Sequence, residues 1–310
     1  MPNTLGYDQP LFILAFDQRA SILEKLLQLS PGQTPSPEVA DQMERFKTAI
    51  YEGFRYALAH GVPQAEAAIL VDEQYGHAIL HDAVFHGFTV ALTTEKTGQH
   101  EFDFEYGDEF TSHLLKYRPT FAKVLVRHNP EAGDALNVHE HAKLVRLREF
   151  CDRENFKLLV ELILPPTDAQ LAWVGNDLAR YDREIRPALE IKLVKQFQNA
   201  GIEADVWKIE GLTSAEQYRA LVGQVQSGGR DKVGVAVLGR AASDEQVEEW
   251  LRVGAGVDGV IGFAVGRTIF WEPIARYHQG SQTWEQTVEQ IGEHYLHFYR
   301  VFSNIKSKKS

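Results

Sequence analysis

Cysteine is almost absent: Cys151 is the only one in 310 residues. One thiol cannot form a disulfide within the chain, which excludes the stapled secreted scaffolds and fits a reducing compartment. No apolar run approaches the ~20 residues of a membrane-spanning helix, so no membrane role is expected. The first residues, MPNTLGYDQP, lack a basic stretch followed by an apolar one and do not read as a secretory signal. A basic stripe is missing too. The formal net charge is -11, which argues against non-specific nucleic-acid binding. No Pro/Ser-rich linker or break in composition divides the chain. These absences leave a soluble cytoplasmic protein with enough apolar residues for a large core. The basic end, KSKKS, reads as a frayed terminus.

What is present is a rhythm of short apolar runs and longer amphipathic stretches. The runs are LFILAFD (11–17), AAILVDE (67–73), TVALTTE (89–95), FAKVLVR (121–127), LLVELIL (158–164), DVWKIEG (205–211), VGVAVLG (233–239) and GVIGFAVG (259–266). The segment 36–61 reads as a helix, with Ser36 as its cap, Pro37 in its first turn and Gly61 after its end. Further helices are expected near 136–156, 184–200, 214–227, 243–253 and 283–304, the last closing the outer ring. Eight strand-then-helix units predict a single (β/α)8 TIM barrel over residues 1–310. The stretch 165–182 is a long excursion after the fifth strand, either a wall of the site or a surface insertion.

Charges inside the strands are the informative feature. Lys123, Glu161 and Lys208 are flanked by apolar residues on the fourth, fifth and sixth runs. Consecutive barrel strands are neighbours, so three inward-pointing side chains would meet. Buried charges are paired or shifted in pKa. One reading is a structural Lys–Glu–Lys network, although two cations for one carboxylate is an unusual balance. The other reading is chemical. A lysine attacks a carbonyl as the free amine, which burial and a second cation favour, and a carboxylic acid moves the protons. Lys208 would be the nucleophile, Lys123 the tuning cation and Glu161 the acid, the set that a Schiff-base aldolase needs. Asp17 ends the first run, with Arg19 two residues on and in phase; Glu95 and Lys96 end the third, and Arg127 the fourth. Glu210 shares a face with Lys208.

These residues, in this order, resemble the class I tagatose-1,6-bisphosphate aldolase family. They are more similar still to the aldolase-like domain fused behind 5-dehydro-2-deoxygluconokinase in bacterial inositol catabolism. The likeness rests on Asp17-Gln18-Arg19, Asp72 with Tyr75-Gly76, Glu95-Lys96-Thr97-Gly98, Lys123, Glu161, the WKIE of strand six and Gly266-Arg267. It implies that Lys208 forms the imine, that Glu161 transfers protons, and that Lys123 and Asp17 line the site. Arg19, Glu95, Lys96, Arg127 and Glu210 would then contact the substrate. The substrate implied first is 2-deoxy-5-keto-gluconate 6-phosphate, giving dihydroxyacetone phosphate and malonate semialdehyde. A ketose bisphosphate is the second. A functional link to a sugar kinase follows from the same likeness. The tagatose-type enzymes carry a Ser/Gly-rich turn after strand seven, where this chain has Leu238-Gly239-Arg240-Ala241-Ala242-Ser243.

Gly239-Arg240 and Gly266-Arg267 follow strands seven and eight, where barrels often hold phosphate. Glycine lets backbone N–H groups come close, and arginine adds paired donors. The alternative is that one arginine pairs with a local carboxylate such as Asp244 or Glu272. Arg19 or Arg127 would hold the far end of the substrate. No metal or cofactor is expected. His77 and His81, and His139 and His141, lie close in sequence, but only His128 follows a strand. GAGVDG (254–259) precedes a strand and so is not a dinucleotide fingerprint. Cys151 reads as packing. A non-catalytic sugar-phosphate-binding module stays open, as does a homo-oligomer.

Overall fold

All eight apolar runs are strands in the computed structural model, which describes residues 4–99, 101–132 and 138–307, with the backbone alone at 138 and 139. They are β1 (Leu11–Ala15), β2 (Ala67–Val71), β3 (Thr89–Thr93), β4 (Phe121–Arg127), β5 (Lys157–Ile163), β6 (Val206–Glu210), β7 (Gly234–Leu238) and β8 (Val260–Val265). Each pairs in parallel with the next, and β8 returns to β1, closing the barrel. The fold is a (β/α)8 TIM barrel. Of the residues expected in the helix at 136–156, 136 and 137 lie outside the described residues, as do 308–310 of the basic end.

Twelve helices are present among the described residues: α1 (Ala20–Lys25), α2 (Pro37–Ala59), α3 (Glu73–Phe85), α4 (Phe110–Tyr117), α5 (Val138–Glu154), α6 (Asp168–Trp173), α7 (Leu178–Glu184), α8 (Arg186–Asn199), α9 (Ala215–Val225), α10 (Asp244–Ala255), α11 (Arg267–His278) and α12 (Trp284–Lys306). Their starts follow from local chemistry. The Ser36 side chain accepts from Val39 N at 3.4 Å and Pro37 opens α2. Thr283 and Gln286 form a capping box at the start of α12. The α12 helix packs against α2, α10 and α11 and closes the ring. Gly53 and Gly292 permit the close approach of α2 and α12. A Cβ at Gly53 would lie 2.6 Å from Ile291, and one at Gly292 would lie 2.4 Å from Tyr56.

The strand period of two sorts the core into two layers. Outward side chains meet the helices. Inward ones, including Leu11, Ile13, Leu70, Phe121, Leu159 and Val206, fill the lower barrel. Higher up the same inward rows turn polar. Lys123 stands two residues beyond Phe121, Glu161 two beyond Leu159, and Lys208 two beyond Val206. Glu161 is in register with Lys208 across the β5–β6 pair. The alternation that builds the core therefore also delivers the charges to the C-terminal mouth. Among the described residues, no helix is long and apolar enough to cross a membrane.

Candidate active site

A cavity of about 590 Å³ opens at the C-terminal ends of the strands. Lys123, Glu161 and Lys208 all line it, so the three in-strand charges do meet. The Lys208 Nζ donates to Glu161 Oε2 at 2.9 Å. Lys123 Nζ lies 2.9 Å from that same oxygen. Lys123 also donates to Asp17 Oδ2 at 2.8 Å and to Glu95 Oε1 at 2.5 Å. Both lysines are 1% exposed. The expected balance of two cations to one carboxylate is therefore corrected to two cations and three carboxylates. Glu95 comes from the end of β3, the neighbour of β4, and Asp17 reaches Lys123 across the barrel mouth from the end of β1, a contact that a strand-by-strand reading does not show.

The fields are strong because the cluster is largely buried. Burial pulls the Lys123 ammonium down, but Asp17, Glu161 and Glu95 outweigh it and hold its pKa well above the usual lysine value. Burial pushes the Asp17 carboxyl up, yet Lys123 and Lys208 bring it down to about 2. Glu161 follows the same pattern and stays below the usual carboxylate range. Glu95 goes the other way: burial, with Asp17 adding to it, raises its carboxyl against the pull of Lys123. Glu95 is thus pushed in the direction opposite to Asp17 and Glu161.

The four arginines of the mouth sort into two kinds. Arg19 is buried and committed: it donates to Glu105 Oε2 at 2.6 Å and to the Glu95 carbonyl at 2.9 Å. Arg240 is committed as well, with its Nη1 2.7 Å from both oxygens of Asp182 and its Nε 2.7 Å from Glu210 Oε1. Pairing with a carboxylate was foreseen, but the partners are Asp182 and Glu210, not Asp244 or Glu272. Glu210 lines the cavity beside Lys208 and acts on Arg240. By contrast, Arg127 and Arg267 line the cavity with no ion-pair partner within 4.0 Å among the described residues. Burial lowers the Arg267 pKa, Asp17 and Glu161 oppose this, and Arg127 adds to it.

The glycines of the two Gly-Arg pairs have reasons of their own. A Cβ on Gly266 would lie 2.0 Å from the Ala15 carbonyl oxygen, so close packing against β1 demands glycine there. A Cβ on Gly239 would sit 3.0 Å from a Val265 methyl, and Gly239 does not line the cavity. The expected backbone approach to a phosphate is thus replaced at Gly239 by a packing role. Arg240 and Ala241 both adopt left-handed backbone, with φ of 50° and 56°. Two such residues in succession are strained, and the Asp182–Glu210 clamp holds them.

Lys96 lies in a hairpin that folds back over the mouth. Glu95 bridges Phe104, Lys96 N donates to Asp103 O at 3.0 Å, and Lys96 Nζ donates to Asp103 Oδ2 at 3.1 Å. Thr97 and Gly98 line the cavity from this arm. Asp72 does not reach the cavity: it caps α3 through Tyr75 N at 2.9 Å and pairs with Lys47. The excursion after β5 forms α6 and α7 and contributes no cavity wall, though its Asp182 clamps Arg240. His77 and His81 are on α3, outside the cavity, and the His139 side chain lies outside the described residues. Cys151 is buried, and burial pushes its thiol up to about 12, as expected for a packing residue. Sequence reasoning missed Asp182 and Glu105, which with Glu210 neutralise arginines of the mouth. Neither sits in a strand, so neither carried a signal.

The model of the DUF2090 family, described as an uncharacterized protein conserved in bacteria, matches residues 5–306. No curated protein matches the chain.

Proposed function

The chain belongs to the DUF2090 family, and from the chemistry of its barrel mouth we propose that it is a class I aldolase cleaving a phosphorylated keto sugar through an imine on Lys208. One observation carries this reading: a single oxygen, Glu161 Oε2, lies 2.9 Å from both Lys208 and Lys123 at the buried floor of the open cavity. A proton leaving Lys208 has an acceptor in contact. While Lys208 is charged, both lysines hold Glu161 ionised; once Lys208 gives up its proton, one of those two fields is gone and Glu161 carries the proton more readily. The free amine attacks the ketone carbon. Glu161 returns the proton to the departing hydroxyl, which leaves as water. A base then takes the proton of the hydroxyl β to the iminium, the C–C bond breaks toward it, and an aldehyde leaves. The enamine is protonated and hydrolysed, which restores Lys208. Lys123, charged throughout, steadies Asp17, Glu95 and Glu161 in place.

The anion ends of the substrate face the two uncommitted arginines. Arg267, half-buried at the start of α11, suits the phosphate, helped by the N–H groups of the first turn. Arg127, exposed at the end of β4, suits a carboxylate. This pairing favours a keto-gluconate 6-phosphate over a ketose bisphosphate, because Arg19 and Arg240 have no charge to spare for a second phosphate.

The test is covalent trapping. The protein is incubated with dihydroxyacetone phosphate, reduced with borohydride and weighed. The expected result is a stable adduct that maps to Lys208 and disappears in Lys208→Ala. An adduct on Lys123 would overturn the assignment. The three carboxylates around Lys123 favour a second reading, a barrel that binds sugar phosphate without turnover, since such a cluster is stable without substrate. No adduct from a keto phosphate that measurably binds selects that reading.

A further inference from the structure

One wall of the cavity is polar and incompletely satisfied. Eight buried side-chain N or O atoms lack a hydrogen-bond partner among the described residues, and four of them are Gln18 Oε1, Arg19 Nε, Ser21 Oγ and Glu95 Oε2. All four residues line the cavity, on the side of β1 and β3. The rest of this wall is spoken for. Gln18 Nε2 donates to Asp17 Oδ1 at 3.1 Å, which fixes the amide oxygen as the free end. The terminal nitrogens of Arg19 serve Glu105, Gln74 and the Glu95 carbonyl, leaving Nε. Glu95 Oε1 holds Lys123, leaving Oε2. Buried polar atoms without partners are few in folded proteins and costly to keep, so half of them in one patch asks for a local cause.

The chemistry of the patch narrows that cause. Gln18 Oε1 accepts, Arg19 Nε–H donates, and the Ser21 hydroxyl does both. Glu95 Oε2, the carboxylate oxygen that Lys123 does not hold, accepts. An anion would meet the amide oxygen and the carboxyl with little positive charge left on Arg19. An alkyl chain would leave all four atoms unpaired. A run of hydroxyl groups, each both donor and acceptor, matches them.

We propose that Gln18, Ser21 and Glu95 form a hydroxyl-recognising wall that selects an open-chain polyol segment of the ligand. The ligand reaches these sealed oxygens when the Gln18 and Ser21 side chains, both partly exposed, change rotamer on binding. The proposal rests on the sugar-phosphate reading of the cavity, but not on imine chemistry.

The test uses two probes without a carbonyl group, so neither can react with Lys208: glucitol 6-phosphate and n-hexyl phosphate. Both are titrated into the native chain by calorimetry. The polyol phosphate should bind on the order of tenfold tighter or more, the usual consequence of pairing buried groups otherwise left unpaired. Gln18→Leu and Ser21→Ala should each remove most of that preference by weakening glucitol 6-phosphate and leaving hexyl phosphate unchanged. A merely structural role would weaken both probes together. Equal affinities in the native chain, no binding of the polyol phosphate, or a preference that survives both variants overturns the proposal. A failed aldolase reading looks different: no adduct on Lys208 while the polyol preference persists.

Discussion

Glu161 Oε2 is shared by two lysines, so replacing that carboxylate separates shape from proton transfer. Glu161→Gln keeps an oxygen near Lys208 but cannot carry a proton. Turnover of a keto sugar phosphate should fall by roughly 10²–10⁴-fold, the range for a lost acid/base group, while the borohydride adduct on Lys208 still forms, more slowly, because the nucleophile is intact. Near-native turnover, read in an assay for the aldehyde product, would remove Glu161 from the proton path. The arginines allow a second comparison. Arg267→Ala should weaken inorganic phosphate and sugar phosphates by roughly 10–100-fold, as for lost hydrogen bonds to a charged group. Arg240→Ala should change phosphate affinity little, because Asp182 and Glu210 already occupy that guanidinium. Calorimetry on both variants checks this, and a larger loss in Arg240→Ala would return the phosphate to strand seven. The in-strand charges were legible in the sequence because an ammonium flanked by Val, Trp and Ile has few structural excuses. The state of each arginine was not legible, since it depends on carboxylates from distant loops.

The α8 helix shows how an element can store a pH response. Glu190 is buried on α8 and accepts from Arg186 Nη1 at 2.6 Å. Burial pushes its carboxyl up, Arg186 opposes, Glu210 adds to it, and it rests at about 8. The folded chain therefore keeps a proton that the unfolded chain releases above ~4.3. Stability from this source is full below that value and is lost as pH rises toward about 8. Glu190→Gln carries no such proton, so its stability should fall less than that of the native chain across this window. Urea unfolding on both sides of the window measures the difference, and identical slopes would refute it. Elements were mostly legible. The helix starts at Ser36, Ser214, Ser243 and Thr283 are capped locally and could be placed from sequence. The α3 helix was hidden because Glu73 follows an apolar run without a break. The α11 helix was hidden by Pro273 within it.

The barrel carries one buried charge cluster at its base and another at its mouth. At the base, Asp205 is fully buried. It accepts from Gly6 N and Leu158 N at 2.8 Å, from Arg148 at 2.8 Å and from Lys157 at 3.2 Å. One carboxylate thus ties the N-terminal segment, α5, β5 and β6 together. Asp205→Ala leaves a buried guanidinium short of its partner and should cost about 3–5 kcal/mol. The Lys123–Glu161–Lys208 cluster lies at the other end of the strands, so Lys208 should still be trapped in the variant below its unfolding transition. Denaturant unfolding and mass analysis of the trapped protein read the two effects separately. Loss of trapping in a folded variant would show that base and mouth are coupled.

Local patterning was enough for the architecture. Runs with period two, separated by capped helical stretches, admit few arrangements, and eight in succession close into a barrel. It was also enough to bring Lys123, Glu161 and Lys208 together, because neighbouring strands in such a barrel are consecutive in the chain. Charge compensation was settled elsewhere, by closure and by loops. Lys123 meets Asp17 across 106 residues, Arg19 meets Glu105 across 86, and Arg240 meets Asp182 across 58. In a dry interior, a shift of a few ångströms decides whether a charge is neutralised or left to face a ligand. No periodicity in the sequence encodes that distance.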